Sequence, residues 1–455
     1  MRSTQYLDFI YPAGKIFLQS WVFFLTGLLV TMPILTVDIG GRLTSLFTIV
    51  FAFFCVLTAA LAIENKKRAA ISVEFCAFSL WMTVSLVASV FGLLYFYHDP
   101  EWQSQIISYI PKIALYLILI YMLIKIKHKQ YLALTFMRGF ICGSVTNLIW
   151  ATIEGVSYYY FETPLNDFLF VDYVKTLPED RQYMTIIRDG IIRASGFNTD
   201  PAHLGGLIPI ILVYGIHKRN IYLLSLSLIA LIFSGSTTAL VTSILSLCIY
   251  PWKLKLSRLD FKRFIFSIIA AAIVVIGVSV NEQIRDGISN NIHGFYERST
   301  ENYVENQNSG NRYVYHAFLM DAIQYSGLKT LIGTGYGTAS YPYVNNREIA
   351  SLLLEENRPY DPESTYISYL FDVGIIGLML YLFVLVRLAI HYRCNLESSN
   401  ESSIVLFSSL SSILFAGFFY HYTLTAYQVL ILIFAICIAS WNASSGQQSV
   451  SKAVA

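Results

Sequence analysis

The stretch Asp361-Pro362-Glu363-Ser364-Thr365-Tyr366-Ile367-Ser368-Tyr369-Leu370-Phe371-Asp372-Val373-Gly374 passes within a few residues from loop chemistry to an apolar helix. The longest polar interval of the chain lies before it. After it, apolar sequence resumes. Apolar stretches of roughly 17–25 residues, the length that crosses about 30 Å of hydrocarbon, recur along the whole chain. Of the 455 residues 55% are hydrophobic and 13% charged, where soluble domains carry about 25% charged residues. Mean hydropathy is +0.56. The runs are continuous, whereas the strands of a membrane barrel alternate over short segments. The expected fold class is therefore an all-α polytopic membrane protein.

About twelve spans are expected, at roughly 16–35, 44–63, 71–97, 106–124, 131–153, 201–216, 221–233, 237–250, 264–280, 365–388, 403–420 and 423–441. The seventh and eighth are short, and Ser234-Gly235-Ser236-Thr237-Thr238 divides what would otherwise be one overlong apolar run. Two helices joined by a tight turn fit better than one helix of about 30 residues, which would overshoot the bilayer. Basic residues alternate between the short loops. Lys66, Lys67 and Arg68 follow the second span, and Lys125, Lys127 and Lys129 the fourth. Lys218 and Arg219 follow the sixth, Lys253, Lys255, Arg258, Lys262 and Arg263 the eighth, and Arg387 and Arg393 end or follow the tenth. The positive-inside rule then places both termini in the cytoplasm.

That orientation leaves two large segments on the outer face, 154–200 and 281–364. Both carry apolar and aromatic residues, among them Tyr158, Tyr159, Tyr160, Phe161, Tyr336, Tyr341 and Tyr343. Both are expected to pack on a single membrane domain covering 1–455. No internal repeat is evident, which counts against a transporter built from related halves. The six cysteines lie in or beside apolar runs and form no C-x-x-C pair, so neither a disulfide framework nor a zinc site is expected. The first span lacks the features of a cleaved signal peptide and is expected to be retained.

Four clusters could carry chemistry. Arg193-Ala194-Ser195-Gly196 leads to Asp200-Pro201-Ala202-His203, where Pro201 can open a helix with Asp200 as its cap. Arg193 either snorkels at the outer surface or binds a phosphate with its guanidinium fork. His203 is either an interfacial hydrogen-bonding residue or a ligand. In the second cluster, Arg312 stands in the first turn of an expected helix, with His316 and Asp321 beyond it. A cation is disfavoured there by the helix dipole, so it either pairs with a nearby acid or has a function. The third, Gly333-Thr334-Gly335-Tyr336-Gly337, lacks the surroundings of a nucleotide fold. It reads as a backbone turn, or as one whose amides approach a ligand. In the fourth, Glu363 is either a helix cap or a base, with Arg358 upstream, and Asp372 should face the protein interior. Lys112 follows Pro111 a few residues into its span, where it is structural or touches a lipid phosphate.

In order and topology these motifs resemble the O-antigen polymerase and O-antigen ligase superfamily of bacterial envelope proteins. The likeness rests on one long late loop, Arg193-x-x-Gly196 with Asp200-Pro201, and the small-residue break Ser234-Gly235-Ser236-Thr237. It rests further on Arg312, then Gly333–Gly337, then Glu363-Ser364-Thr365-Tyr366-Ile367 and Asp372-Val373-Gly374-Ile375-Ile376-Gly377. The family's arginine in the small-residue break is absent here. Glu363 stands where ligases have a histidine, which favours a polymerase.

The resemblance implies a GT-C-like helical glycosyltransferase of the bacterial inner membrane with its active site facing the periplasm. Its donor would be a glycan on undecaprenyl pyrophosphate. It would need no cofactor and no metal, would bind no nucleic acid, and would have the lipid bilayer and a polysaccharide chain-length regulator as surroundings and partner. Arg193 and Arg312 would bind the pyrophosphate and Glu363 would act as base. Arg358, His203, His316, Asp200, Ser236, Gly335, Tyr336, Tyr366 and Lys112 would contact substrate. A ligase transferring glycan to lipid A core or protein, and a flippase for the same lipid-linked glycan, are the alternatives.

Overall fold

A computed structural model describes the chain outside 1–17, 40–41, 65–70, 97–99, 127–128, 171–185, 189–190, 199–200, 251–327, 340–363, 397–400, 419–424 and 455. It is mostly helical. In chain order the helices are α1 (Leu18–Leu29), α2 (Leu46–Glu64), α3 (Val73–Phe91), α4 (Pro100–Lys125), α5 (Lys129–Phe161) and α6 (Leu165–Leu169). There follow α7 (Pro201–Lys218), α8 (Ile221–Ser234), α9 (Thr237–Ile249), α10 (Leu328–Ile332), α11 (Thr365–Cys394), α12 (Glu401–Ala416) and α13 (Ala426–Val454). Five described helices are long and apolar enough to cross a membrane, and six shorter ones are apolar. Together they stand at eleven of the twelve expected positions. The remaining one, 264–280, lies outside the described residues.

The chain divides into two units. The first comprises Met1–Arg68, Met122–Tyr296 and Tyr392–Ser412, the second Ala69–Tyr121, Glu297–His391 and Ile413–Ala455.

In the first unit α1 and α5 cross at backbone distance. A Cβ on Gly27 would lie 2.1 Å from the Phe136 carbonyl oxygen, and one on Gly139 2.0 Å from that of Phe24. Gly139 and Gly143 are four apart on one face of α5. This small-xxx-small spacing is what lets membrane helices touch where burial of apolar side chains gains little over lipid. At the other side of α5, Arg138 donates to Glu401 Oε2 through Nη2 at 3.1 Å, and the Tyr214 hydroxyl donates to Glu401 Oε1 at 3.3 Å. Arg138 therefore ties α5 to α12. The 221–250 run is two helices, as expected. The Asn220 side chain accepts from the amides of Tyr222 and Leu223 to open α8. Gly235, in the left-handed conformation (φ 52), ends it, and Ser236 caps α9.

Two small features depart from an all-helical reading. β1 (Thr36–Ile39) pairs antiparallel with β2 (Arg42–Ser45), Thr36 opposite Ser45. β3 (Ile186–Arg188) pairs with β4 (Ile191–Arg193), Ile186 opposite Arg193. β-Branched residues flank Gly40-Gly41 in one sequence and Asp189-Gly190 in the other, the short-range signal of a two-residue hairpin. The 154–200 segment also begins later than expected, because α5 continues to Phe161. No breaker interrupts it before Thr163-Pro164.

In the second unit α11 is two helices meeting at Gly374 (φ 69, ψ −177). The break frees the carbonyls of Phe371 and Asp372, which accept from the amides of Thr334 and Gly335 at 3.0 and 2.9 Å. Polar backbone that leaves a helix within apolar surroundings has to find such partners. Near the far end of α11, Arg387 Nε donates to Glu74 Oε1 at 2.6 Å.

A Cβ at residue 374 would meet the Leu331 carbonyl oxygen at 2.3 Å in a left-handed backbone. Gly374→Ala is expected to lower the thermal midpoint of the detergent-solubilised protein by fluorescence-detected size exclusion. The backbone conformation alone costs about 1–3 kcal/mol for a residue with a side chain. Gly377→Ala, where the crowding comes from the Val373 side chain, is expected to cost less.

Candidate functional site

In the first unit the Arg193-x-x-Gly196 motif is a turn clamped from below by α5. Ser195 and Gly196 donate their amides to one carboxylate oxygen, Glu154 Oε2, at 3.1 and 3.0 Å. Two helical turns earlier on the same face of α5, Asn147 Oδ1 accepts from the Phe197 amide at 2.9 Å and from Asn198 Nδ2 at 3.3 Å. Asn147 Nδ2 donates in turn to the Thr31 carbonyl. From the opposite side Asn166, on α6, donates through Nδ2 to the Gly196 carbonyl at 2.9 Å and to Ser195 Oγ at 3.2 Å. Glu154, Asn147 and Asn166 are all buried. Glu154 Oε1 is buried without a hydrogen-bond partner among the described residues, so the carboxyl holds the turn through Oε2 alone.

The glycine of the motif has a local reason. Gly196 has φ +66, and a Cβ there would lie 2.0 Å from Asn147 Oδ1. Arg193, half-buried, stands at the end of β4, and the next amide, Ala194, donates to the Phe233 carbonyl at 3.0 Å. This joins the arginine strand to the end of α8, beside the Ser234-Gly235-Ser236 break. Pro201 does open α7, with half-buried His203 in its first turn. Gly205 on α7 faces Ser236, whose Oγ would be 3.0 Å from a Cβ at 205. The motifs around Arg193, His203 and Ser236 thus share one neighbourhood in the first unit. Ser236 itself is buried, and its hydroxyl oxygen accepts from the Ala239 amide at 3.2 Å. It serves as a helix cap there.

The glycine-rich turn of the second unit wraps a carboxylate that belongs to the protein. Gly337 and Thr338 donate their amides to Asp372 Oδ2 and Oδ1 at 3.2 and 3.1 Å. Gly335 donates to the Asp372 carbonyl, and Tyr336 to Ser89 Oγ at 3.3 Å. Positive φ at Gly333, Gly335 and Gly337 allows the chain to curl this tightly. An anion does sit among successive amides, as such turns permit, but it is Asp372. Its burial agrees with the expectation that it faces the interior. Gly335 and Tyr336, expected to contact substrate, instead brace α11. Tyr336 is fully buried, stacked on Tyr109 with ring centroids 5.8 Å apart and edge-on to Tyr369. Tyr366 is likewise held in the fold, its hydroxyl donating to the Leu414 carbonyl. Lys112 is exposed, with its ammonium 4.5 Å above the Tyr109 ring.

Ser364 and Thr365, immediately after Glu363, are anchored to one carbonyl. Ser364 Oγ and the Thr365 amide donate to Gly417 at 3.1 and 2.9 Å. Glu363 itself, with Arg312, His316, Arg358 and Asp200, lies outside the described residues. Glu154, Asn147 and Asn166 escaped the sequence reading. The available signal was Glu154 itself, a carboxylate at the end of an apolar run, which inside a membrane protein demands a partner.

Residues 222–382 match the family model described as O-antigen ligase. That match supports the likeness to the O-antigen ligase and polymerase superfamily. The matched region runs from α8 through the glycine-rich turn to beyond the Gly374 break in α11, and the Arg193 turn lies upstream of it. No curated protein sequence matches the chain. Members of the superfamily handle glycans.

Removing the Glu154 carboxylate should release the Arg193 turn. Glu154→Ala leaves two buried amides without an acceptor, at roughly 1–3 kcal/mol each, and should lower the thermal midpoint of the purified protein. Glu154→Gln keeps a carbonyl oxygen in the same place and should retain most of that stability. Equal midpoints for Glu154→Ala and the parent chain would show that the clamp contributes nothing.

Proposed function

We propose that this protein is a glycosyltransferase that polymerises undecaprenyl-pyrophosphate-linked oligosaccharide repeat units at the periplasmic face of the bacterial inner membrane. The observation that carries the reading is the rigid turn beneath Arg193. An arginine on a loop whose next four amides are fastened, one to the Phe233 carbonyl and three to the buried side chains of Glu154 and Asn147, is preorganised for a phosphate or pyrophosphate, and loses little freedom on binding it. The match to the O-antigen ligase family supports glycan transfer as the chemistry.

In this reading the acceptor hydroxyl of the incoming repeat unit loses its proton to Glu363 as its oxygen bonds to the anomeric carbon of the donor sugar. The bond from that carbon to the pyrophosphate oxygen breaks, and undecaprenyl pyrophosphate leaves with the electron pair. Arg193 and Arg312 neutralise the charge that grows on the leaving group, so no metal ion is invoked. Arg358, His316 and His203 assist at the sugar and phosphate. Lys112 meets lipid phosphate, and a chain-length regulator is an accessory partner. Asp200 contacts substrate in this reading.

A ligase that transfers the glycan to lipid A core or to protein shares the donor and the leaving group, and the description of the matching family favours keeping it as the second reading. The glutamate at 363, where the ligases have histidine, favours the polymerase.

The deciding experiment is a gel of surface polysaccharide from a strain lacking the protein. Single repeats on the surface lipid with no ladder identify a polymerase. Long undecaprenyl-linked chains with nothing on lipid A identify a ligase. Repeat units held at the cytoplasmic face identify a flippase and overturn the catalytic reading. In the complemented strain Arg193→Ala should abolish the ladder at normal protein level, and Arg193→Lys should restore only part of it. Glu363→Gln should slow chain elongation by about 10²–10⁴, the usual contribution of a general base. Full elongation by Glu363→Gln would reduce that carboxylate to a helix cap.

A further inference from the structure

The segment after α5 doubles back toward the membrane. α5 ends at Phe161, and Glu162, with a left-handed backbone (φ 52), closes it by donating its amide to the Tyr158 carbonyl at 2.8 Å. Thr163-Pro164 then turn the chain into α6. The depth to which α6 returns is set by one contact. Asn166 Oδ1 accepts from Trp150 Nε1 at 2.8 Å, and the Phe170 ring stands edge-on to the same indole with centroids 6.4 Å apart. Trp150 is eleven residues before the end of α5, about 16 Å back along its axis at 1.5 Å per residue. Helical side chains lean toward the N-terminus, so the indole lies deeper still.

That level can be placed against the bilayer. α5 begins at Lys129, and its apolar span runs from Gln130. Trp150 lies about 32 Å along the helix from Lys129 at that rise, beside a hydrocarbon thickness of about 30 Å. It therefore stands at the boundary between acyl chains and headgroups, where indole rings concentrate. At the same level α6 exposes its two largest apolar side chains, Phe168 at 72% and Leu169 at 51%. On α5 near the same level Ile149 and Ile153 are each 45% exposed. In water such exposed area is unfavourable by about 25 cal/mol per Å².

We infer that α6 is a membrane foot: Phe168 and Leu169 seat in the acyl–headgroup boundary of the leaflet at the Trp150 end of α5. The occupant of this apolar face is bilayer lipid, because the Trp150 contact holds the face at the level where a candidate spanning helix with exposed apolar residues reaches the acyl–headgroup boundary. The foot has a consequence for the Arg193 turn. Asn166 bonds Trp150 on one side and Ser195 and Gly196 on the other, so the element that rests in the leaflet also holds the turn. Arg193 is thereby kept at headgroup height, where any lipid-linked phosphate would present itself. The inference about α6 stands apart from the glycan reading.

The test is a depth measurement on the full chain with its six native cysteines replaced. A nitroxide at Phe168→Cys, in vesicles of phosphatidylethanolamine and phosphatidylglycerol, is compared with labels at Ile149→Cys and Glu162→Cys. Collision with oxygen should dominate collision with a water-soluble nickel chelate at Phe168→Cys, at a ratio at or near that of Ile149→Cys. Leu169→Cys should read the same way. A nickel-dominated ratio like that of Glu162→Cys would place α6 in water and overturn the inference. A label that meets neither reagent would show protein covering the face, and would overturn it equally. If Phe168→Cys does not fold, Phe168→Trp replaces it. Stronger fluorescence quenching by brominated acyl chains than in the parent chain supports the foot, and unchanged quenching overturns it.

Discussion

A backbone that leaves its helix inside an apolar protein must still satisfy every amide and carbonyl, and this chain meets that demand twice with the same device. In each unit a carboxylate on a long helix accepts two consecutive amides from a glycine-containing turn. Glu154 of α5 takes Ser195 and Gly196, and Asp372 of α11 takes Gly337 and Thr338. In each case a glycine is required because the turn approaches its helix too closely for a side chain. The buried acid and the bare backbone answer one another. Either alone would be costly.

This device lets loops that carry candidate chemistry be as well fixed as the helices below them. Arg193 lies two residues before the first clamped amide, and its other neighbour, Ala194, is bonded to the end of α8. Ser364 and Thr365, next to Glu363, both reach the carbonyl of Gly417. Sites supported by a second layer of buried hydrogen bonds hold their geometry without ordering on binding. Asn166 extends that support to the level of the membrane boundary.

Several elements were open to reading from local sequence. The apolar runs coincide with five helices long and apolar enough to cross a membrane and with six shorter apolar ones among the described residues. Ser234-Gly235-Ser236 divided α8 from α9, because glycine ends helices and serine begins them. Pro201 opened α7. The order of Arg193, Gly333–Gly337 and Glu363 pointed to the superfamily whose model matches 222–382. The readings that gave way concern partners. Gly335 and Tyr336 suggested amides open to a ligand, but Asp372 and Ser89 take those amides. The hydroxyls of Ser236 and Tyr366 serve a helix cap and a backbone carbonyl, partners that local sequence did not name. Glu154 drew no attention, because nothing beside it in sequence hints at what it holds.

By itself, then, the sequence determined that this chain lives in a membrane, roughly where its described apolar helices lie, and which family it resembles. Those properties follow from the hydrophobicity and capping chemistry of neighbouring residues, and such interactions span only a few positions. What only the tertiary structure decided is which polar group answers which. Glu154 meets Ser195 across 41 residues and Asp372 meets Gly337 across 35. The return of α6 to the depth of Trp150 belongs to the same class. Pairings of this kind depend on how the helices pack, and no local pattern encodes them.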